Sequence, residues 1–498
     1  MDRSLARRIL LAALAIGVLA DIALDGPAIG LNMLIVTAAM LAAAWLLRRP
    51  GRAPDPLDAW LPVSALVLAA FVAVRADPFV TLLDIGGAAA FTGASVAAFS
   101  GLAVTRRSAT VVMATGAWVL ESVLAGTGRA LRDGRPAETD GPRRAPTWFG
   151  PVGRGLVLAV PLVLIFAVLF ASADPIFNRG FQDLLNFRID LGDLPGRVIF
   201  ALAIAWLAGG LLTVAARGIP ALERASLGAA AHSASVIPER LLGTTEALVV
   251  LVAIDLVVGL FVGLQLAYLF GGLDTLAAAG LKYSDYARRG YFELVAAAAL
   301  AGGILVALEY GVTRRSRPYV ALAIGLIGLT IVVLASAALR LQLYQDAYGW
   351  TELRLYVAVS IAAMAVTLAT LAAFLATDRT RWLGHAMVAI GLVSLIALNL
   401  LAPAAFVAER NLARVIDPTL VPPDGEVSLD ADYLGVLPDD AIPALVAALP
   451  SLPAQERERV LRLLYERRFV LSKEPAYASP FAWNLGRARA EAALATLP

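Results

Sequence analysis

The sequence predicts an all-α protein: a polytopic transmembrane helix bundle of about eleven spans, with a small helical extramembrane domain at its C-terminal end. Three observations carry this. Hydrophobic residues fill 59% of the 498 positions and charged residues only 16%, against roughly 45–50% and 25% in soluble globular chains. Mean hydropathy is +0.76. The apolar residues are also gathered into long uncharged runs, the mark of membrane helices.

Measured against the ~20 residues needed to cross hydrocarbon, the runs fall at about 9–24, 28–47, 59–75, 80–104, 155–172, 198–216, 246–270, 291–312, 318–338, 355–376 and 382–403. The first is short enough for a signal peptide. It has no convincing small-residue cleavage site and leads almost directly into the second, so it counts as a helix.

Arginine placement orients the bundle. Arg3, Arg7 and Arg8 precede the first run; Arg48, Arg49 and Arg52 follow the second. Arg106 and Arg107 follow the fourth, Arg314, Arg315 and Arg317 the eighth, and Arg379 and Arg381 the tenth. The positive-inside rule makes these loops cytoplasmic and the N-terminus cytoplasmic with them. Ser108–Gly126 is apolar enough to span, but spanning would invert every later arginine loop. An interfacial or re-entrant helix there keeps the loops inside and spares Glu121 a place in hydrocarbon. The C-terminus is then extracytoplasmic.

This divides the chain into four spans over 1–107, an interfacial helix and arginine-rich loop over 108–154, seven spans over 155–404, and an outer helical domain over 405–498. Between Ile416 and Pro450 lie seven acidic residues and no basic one, most simply a solvated face. Asp439-Asp440 is placed to cap a helix starting at Ile442-Pro443. Gln455–Phe469 has helical spacing. Asp430-x-Asp432 lacks the spacing of an EF-hand calcium loop.

Composition also excludes chemistry. The absence of cysteine removes disulfides, thiolate metal sites and cysteine nucleophiles. The two histidines, His232 and His385, are far apart in predicted short loops, which argues against haem or histidine-based zinc. Neither Lys282 nor Lys473 ends a Walker A loop, so the chain is no P-loop ATPase. A net charge of +2 gives no field for nucleic acid. No cofactor is expected, and the bilayer is the first partner.

Four outward segments are dense in rings, acids and arginines: ASADPIFNRGFQDLLNF (171–187), GGLDTL leading to YSDYARRGYFEL (271–294), RLQLYQDAYGWTELRLY (340–356) and FVAERNLAR (406–414). With DLPGRV (193–198), these strings resemble the bacterial membrane proteins grouped as domain-of-unknown-function family 4173, a neighbour of family 4153. The resemblance runs from about Val157 to Leu434, and the first 150 residues match only in hydropathy. It implies a bacterial plasma (inner) membrane protein and brings no reaction, cofactor or ligand.

On a helix, Asp285 faces Arg288 and Arg289, and Arg289 faces Glu293. This is either an interfacial helix with self-satisfied ion pairs, or a grip on a phosphate or carboxylate. Helical spacing likewise aligns Tyr344, Tyr348, Glu352 and Tyr356, with Asp346, Trp350 and Arg354 on the next face. Such rings and carboxylates suit a sugar or cation, and equally an aromatic belt. Asp174 before Pro175 reads as a helix cap, and Asp21 and Asp25 as caps of a turn at Gly26-Pro27. Asp255 sits mid-span, where an ionisable group costs at least ~2.5–3.5 kcal/mol; it needs a structural partner or a place on a translocation path. Glu246 and Glu309 lie near cytoplasmic helix ends, within reach of water.

The outward residues Asp285, Arg288, Arg289, Tyr344, Asp346, Trp350, Glu352, Arg354, Glu409 and Arg410 are expected to converge on one ligand-binding site. The favoured function is non-catalytic: binding or moving an envelope ligand or protein. An outer-face lipid-linked transferase is the alternative, disfavoured because the first outer loop, Asp21–Pro27, is too short for the helices such enzymes carry. A sensor or assembly scaffold acting through the C-terminal domain is the third. No obvious inverted repeat supports a secondary transporter.

Overall fold

The computed structural model describes residues 2–48, 51, 53–107, 116, 119, 122–123, 126–133, 194–217, 243–270, 291–312, 315–423, 425, 427 and 429–498. Every regular element among them is helical, and seven described helices are long and apolar enough to cross a membrane. The helices are α1 (Arg3–Leu24), α2 (Leu31–Leu46), α3 (Trp60–Val72), α4 (Pro78–Phe99), α5 (Leu194–Arg217), α6 (Thr244–Phe270), α7 (Tyr291–Gly311), α8 (Arg317–Tyr348), α9 (Glu352–Ala376) and α10 (Leu383–Leu401). Each predicted run has its helix except 155–172, which lies outside the described residues, as does the Asp174-Pro175 cap.

Local chemistry sets several starts. Asp77 precedes Pro78 and accepts from the Phe79 and Val80 amides at 2.9 and 3.1 Å. Ser316 caps α8 through the Tyr319 amide, and Thr351 caps α9 through the Arg354 amide. Each pairs an oxygen side chain with otherwise unpaired N–H groups.

α1 and α5 pack closely and antiparallel. A Cβ on Gly17 would lie 2.2 Å from the Ala201 carbonyl oxygen, so only glycine lets these backbones meet. Asp21 and Asp25 do not cap the turn at Gly26 as expected. The helix runs through Asp21, and both carboxylates reach Arg197 of α5, at 2.9 and 3.2 Å. An arginine one helix away is a stronger partner for them than the local amides.

One end of the bundle gathers paired arginines: Arg106 with Asp55, and Arg315 with both Glu309 and Asp378. Glu309 is therefore buried and paired rather than solvated, while Glu246 accepts from its own helix start at Gly243. Residues 126–133 are helical and lie along the second half of α5: Thr127 donates to the Trp206 carbonyl at 2.5 Å and Asp133 pairs with Arg217. His385 is in the first turns of α10, not in a loop.

α8 has 32 residues, about 48 Å at 1.5 Å per residue, against ~30 Å of hydrocarbon. It is longer than an upright span requires. α10 stops at Leu401 because Ala402 turns left-handed, at φ +52°, and Pro403 begins a new helix. That helix, α11 (Pro403–Ile416), with α12 (Ala431–Val436), α13 (Ile442–Ala448), α14 (Ala454–Lys473) and α15 (Leu485–Leu494), shares a core of Val407, Leu434, Leu445, Val460, Leu464 and Leu494.

This C-terminal group is stitched to the turns below it. Ala28 and Leu31 amides donate to the Ala476 and Trp483 carbonyls, both at 2.9 Å, and Leu485 and Gly486 amides to Ala73 and Val74 at 2.8 and 3.1 Å. The acidic stretch is not simply a solvated face: Asp439 and Asp440 are buried. Nor do they cap α13. Asp439 pairs with Arg467, and Asp440 turns to Arg75 and the Ala76 amide.

Candidate functional site

The motif at 340–356 is not one helix. Gly349 has φ +83° and separates α8 from α9, so Tyr348, Glu352 and Tyr356 do not form the continuous face that helical spacing implied. The corner is fastened by α11. Arg414 is 8% exposed and donates to the Gln345, Asp346 and Ala347 carbonyls, a cationic cap on the end of α8. Asn411 accepts from the Trp350 amide at 2.8 Å and donates to the Trp350 carbonyl at 2.9 Å. The AERNLAR string is thus first a structural clasp.

Above the corner, the rings and guanidinium groups stack. Tyr344 lies 5.9 Å from Tyr291 and 5.2 Å from Tyr348, with Arg354 4.0 Å over its ring. Trp350 meets Phe406 edge-on at 5.1 Å, and Arg410 stands 5.1 Å from Phe406. Beside them opens a polar cavity of about 210 Å³. Trp350, Arg354, Asn411 and Arg414 line one wall, and Asp430 and Tyr433 the other. Arg354 holds the Gly349 carbonyl with Nη1 at 2.5 Å and borders the cavity. Asp430 caps α12 through the Tyr433 amide at 2.9 Å. The Tyr433 hydroxyl accepts from the Glu352 amide at 2.8 Å, and burial pushes that phenol up to about 12.

A second polar cluster lies on the far side of the α9 start. The Glu352 side chain turns away from the arginines and lies against Asp77. Asp77 also accepts from the Tyr356 hydroxyl at 2.6 Å. Arg75 donates to the Asn399 carbonyl at 2.6 Å and pairs with Asp440 at 3.5 Å. Burial raises the Asp440 carboxyl above its ordinary range, opposed by the Ala76 amide and Arg75.

The sequence-predicted residues therefore divide. Tyr344 meets Arg354 in one stack and Trp350 meets Arg410 in another, and Asp346 faces Arg414 and Arg410. Glu352 belongs to the carboxyl cluster. Glu409 is exposed. Asp285, Arg288 and Arg289 lie outside the described residues, as do Lys282, His232 and the 171–187 segment. Asp255 sits on α6 with an oxygen facing Gly325 of α8, and neither of its oxygens has a hydrogen-bond partner among the described residues.

Sequence reasoning passed over Asn411 and Arg414 although both were in view, gave Asp430 and Asp440 other roles, and missed Arg75, Asp77, Asp84, Asn399 and Tyr433. The Asp77-Pro78 pair carries the same cap signal as Asp174-Pro175. Asp84 sits within the fourth run, where the argument applied to Asp255 holds equally.

A family model described as "Domain of unknown function (DUF4153)" matches residues 63–448, from within α3 to the end of α13 and across both polar clusters. No curated protein and no solved structure matches the chain.

Proposed function

The chain belongs to the DUF4153 family, and from that premise we propose that it is a multi-pass membrane protein binding a small anionic solute in the Trp350–Arg354–Tyr433 cavity. The carrying observation is that cavity: polar, about 210 Å³, and built jointly by two of the motif segments and the C-terminal helices. It is smaller than the roughly 300–1,000 Å³ of drug-sized sites, which suits a metabolite-sized acid or a single headgroup. Arg354 supplies the charge, Trp350 an apolar wall, and Asp430 and the Tyr433 hydroxyl the hydrogen-bonding that sets orientation. The bundle lies in a bacterial inner membrane, N-terminus inside, with the cavity on the extracytoplasmic side. The motif strings at 340–356 and 406–414 also support kinship with the neighbouring family 4173.

The test is thermal unfolding of purified protein in detergent with inorganic phosphate, a hexose phosphate and an amino acid in turn. At least one raises the wild-type midpoint and fails to raise that of Arg354→Leu. Equal responses in both proteins, or none in either, would remove the cavity as the site.

A further inference from the structure

The contact between α4 and α10 holds a fully buried carboxylate whose chemistry is incomplete. Asp84 and Asn399 are each 0% exposed. Asn399 Nδ2 donates to Asp84 Oδ1 at 2.9 Å and to the Leu395 carbonyl at 3.0 Å. Asp84 Oδ2 and Asn399 Oδ1 have no hydrogen-bond partner among the described residues. Two side chains already joined by one bond thus each keep a buried acceptor without a donor, which costs free energy wherever it persists.

The surrounding charge points the same way. Arg75 reaches this pair only through the Asn399 backbone carbonyl, and its guanidinium also serves Asp440. Asp77 and Arg75 are the charged groups that act on Asp84, and Asp77 in turn accepts from Tyr356 and lies against Glu352. Asp84 is thus a buried carboxylate whose nearby guanidinium is paired with Asp440, a setting in which negative charge needs a counterion or a proton.

We infer that Asp84 and Asn399 form a site for one monovalent cation, a sodium ion or a proton, at the α4–α10 contact. A sodium ion takes both orphan oxygens as ligands. A proton on Asp84 Oδ2 donates to Asn399 Oδ1 and closes an acid–amide ring with the bond already present. A single carboxylate beside neutral oxygens does not suit a divalent ion, which draws on several carboxylates; no group of three histidine, cysteine or acidic residues fit for a metal occurs among the described residues. A cavity of about 360 Å³ lies nearby, bordered by Arg75, Thr81 and Ile85, and Thr81 is one helical turn from Asp84. The site is independent of the solute cavity.

The experiment is thermal unfolding of the full chain in detergent, with sodium chloride exchanged for choline chloride at constant ionic strength, at pH 8 and at pH 5.5. Wild type gains roughly 2–4 °C from sodium at pH 8 if sodium is the ion, and the gain shrinks at pH 5.5 through proton competition. It gains on acidification alone if the ion is a proton. Asp84→Asn, neutral and isosteric, loses whichever response wild type shows. Should that variant not survive purification, Asn399→Ala takes its place and must weaken the response at least tenfold in apparent affinity. Identical responses in wild type and variant, or no response to either ion, overturn the site.

Discussion

Asn411 holds the peptide of Trp350 from both ends, accepting from its N–H at 2.8 Å and donating to its C=O at 2.9 Å. This pair fixes the break between α8 and α9 to the first helix beyond the bundle, and so fixes the shape of the cavity. Asn411→Ala leaves two backbone groups unpaired in a part-buried corner, a loss of about 1–3 kcal/mol. The expected readout is a lower unfolding midpoint, with Asn411→Asp intermediate because it keeps the acceptor and loses the donor. A midpoint equal to wild type for Asn411→Ala would show that the clasp contributes nothing.

Gly349→Ala acts on the same corner through the backbone. At φ +83° and ψ 177°, a region open almost only to glycine, a side chain costs about 1–3 kcal/mol, and its Cβ would lie 2.8 Å from Asn411 Oδ1. The variant is expected to unfold earlier than wild type and to lose solute binding together with stability.

Arg354→Lys separates charge from shape. Lysine keeps the positive charge but not the planar fork that spans the Gly349 carbonyl, the Tyr344 ring and the cavity. Solute affinity should fall at least tenfold, consistent with loss of a charge-assisted bond of about 1.5–3 kcal/mol, while the midpoint without solute moves little.

Asp440 gives a pH dependence with a defined sign. Burial holds its carboxyl above the ordinary 3.8, so the folded state binds this proton more tightly than the unfolded one. Its contribution is full below the unfolded value and fades as pH rises through the folded value. Raising pH from about 4 towards neutrality should lower the wild-type midpoint relative to Asp440→Asn. Parallel profiles would show that Arg75 and the Ala76 amide fully offset burial.

The chain has no cysteine, which makes orientation directly measurable. A single cysteine at exposed Ser472 should react with an impermeant maleimide on intact cells, and one at exposed Arg107 only after lysis. The reverse pattern would invert the bundle.

The helices were legible because a run of apolar residues has one physical use at this length, and arginine positions mark its ends. The polar clusters were not. Glu352 and Arg354 serve opposite sides of the α9 start because residues two apart on a helix point about 200° apart, and the break at Gly349 separates both from the face of Tyr344 and Tyr348. Asp440 looks like a helix cap until the turn at Arg75 and Ala76, far away in sequence, comes to lie beside it. Arg414 was read as one more cation in a motif, whereas its work is done on three carbonyls of another helix. Long-range partners leave no local periodicity to read.

The stitching of residues 476–486 onto the turns at 28–31 and 73–74 has a consequence for biogenesis. The first two hairpins of the chain leave the ribosome with backbone groups whose partners lie more than four hundred residues downstream. Those turns wait, unlocked, through the synthesis of every later helix and close only when the final helices arrive. Closure of these turns is therefore a last event rather than a progressive one. A chain cut near residue 475 would lose the partners of all four of these backbone groups.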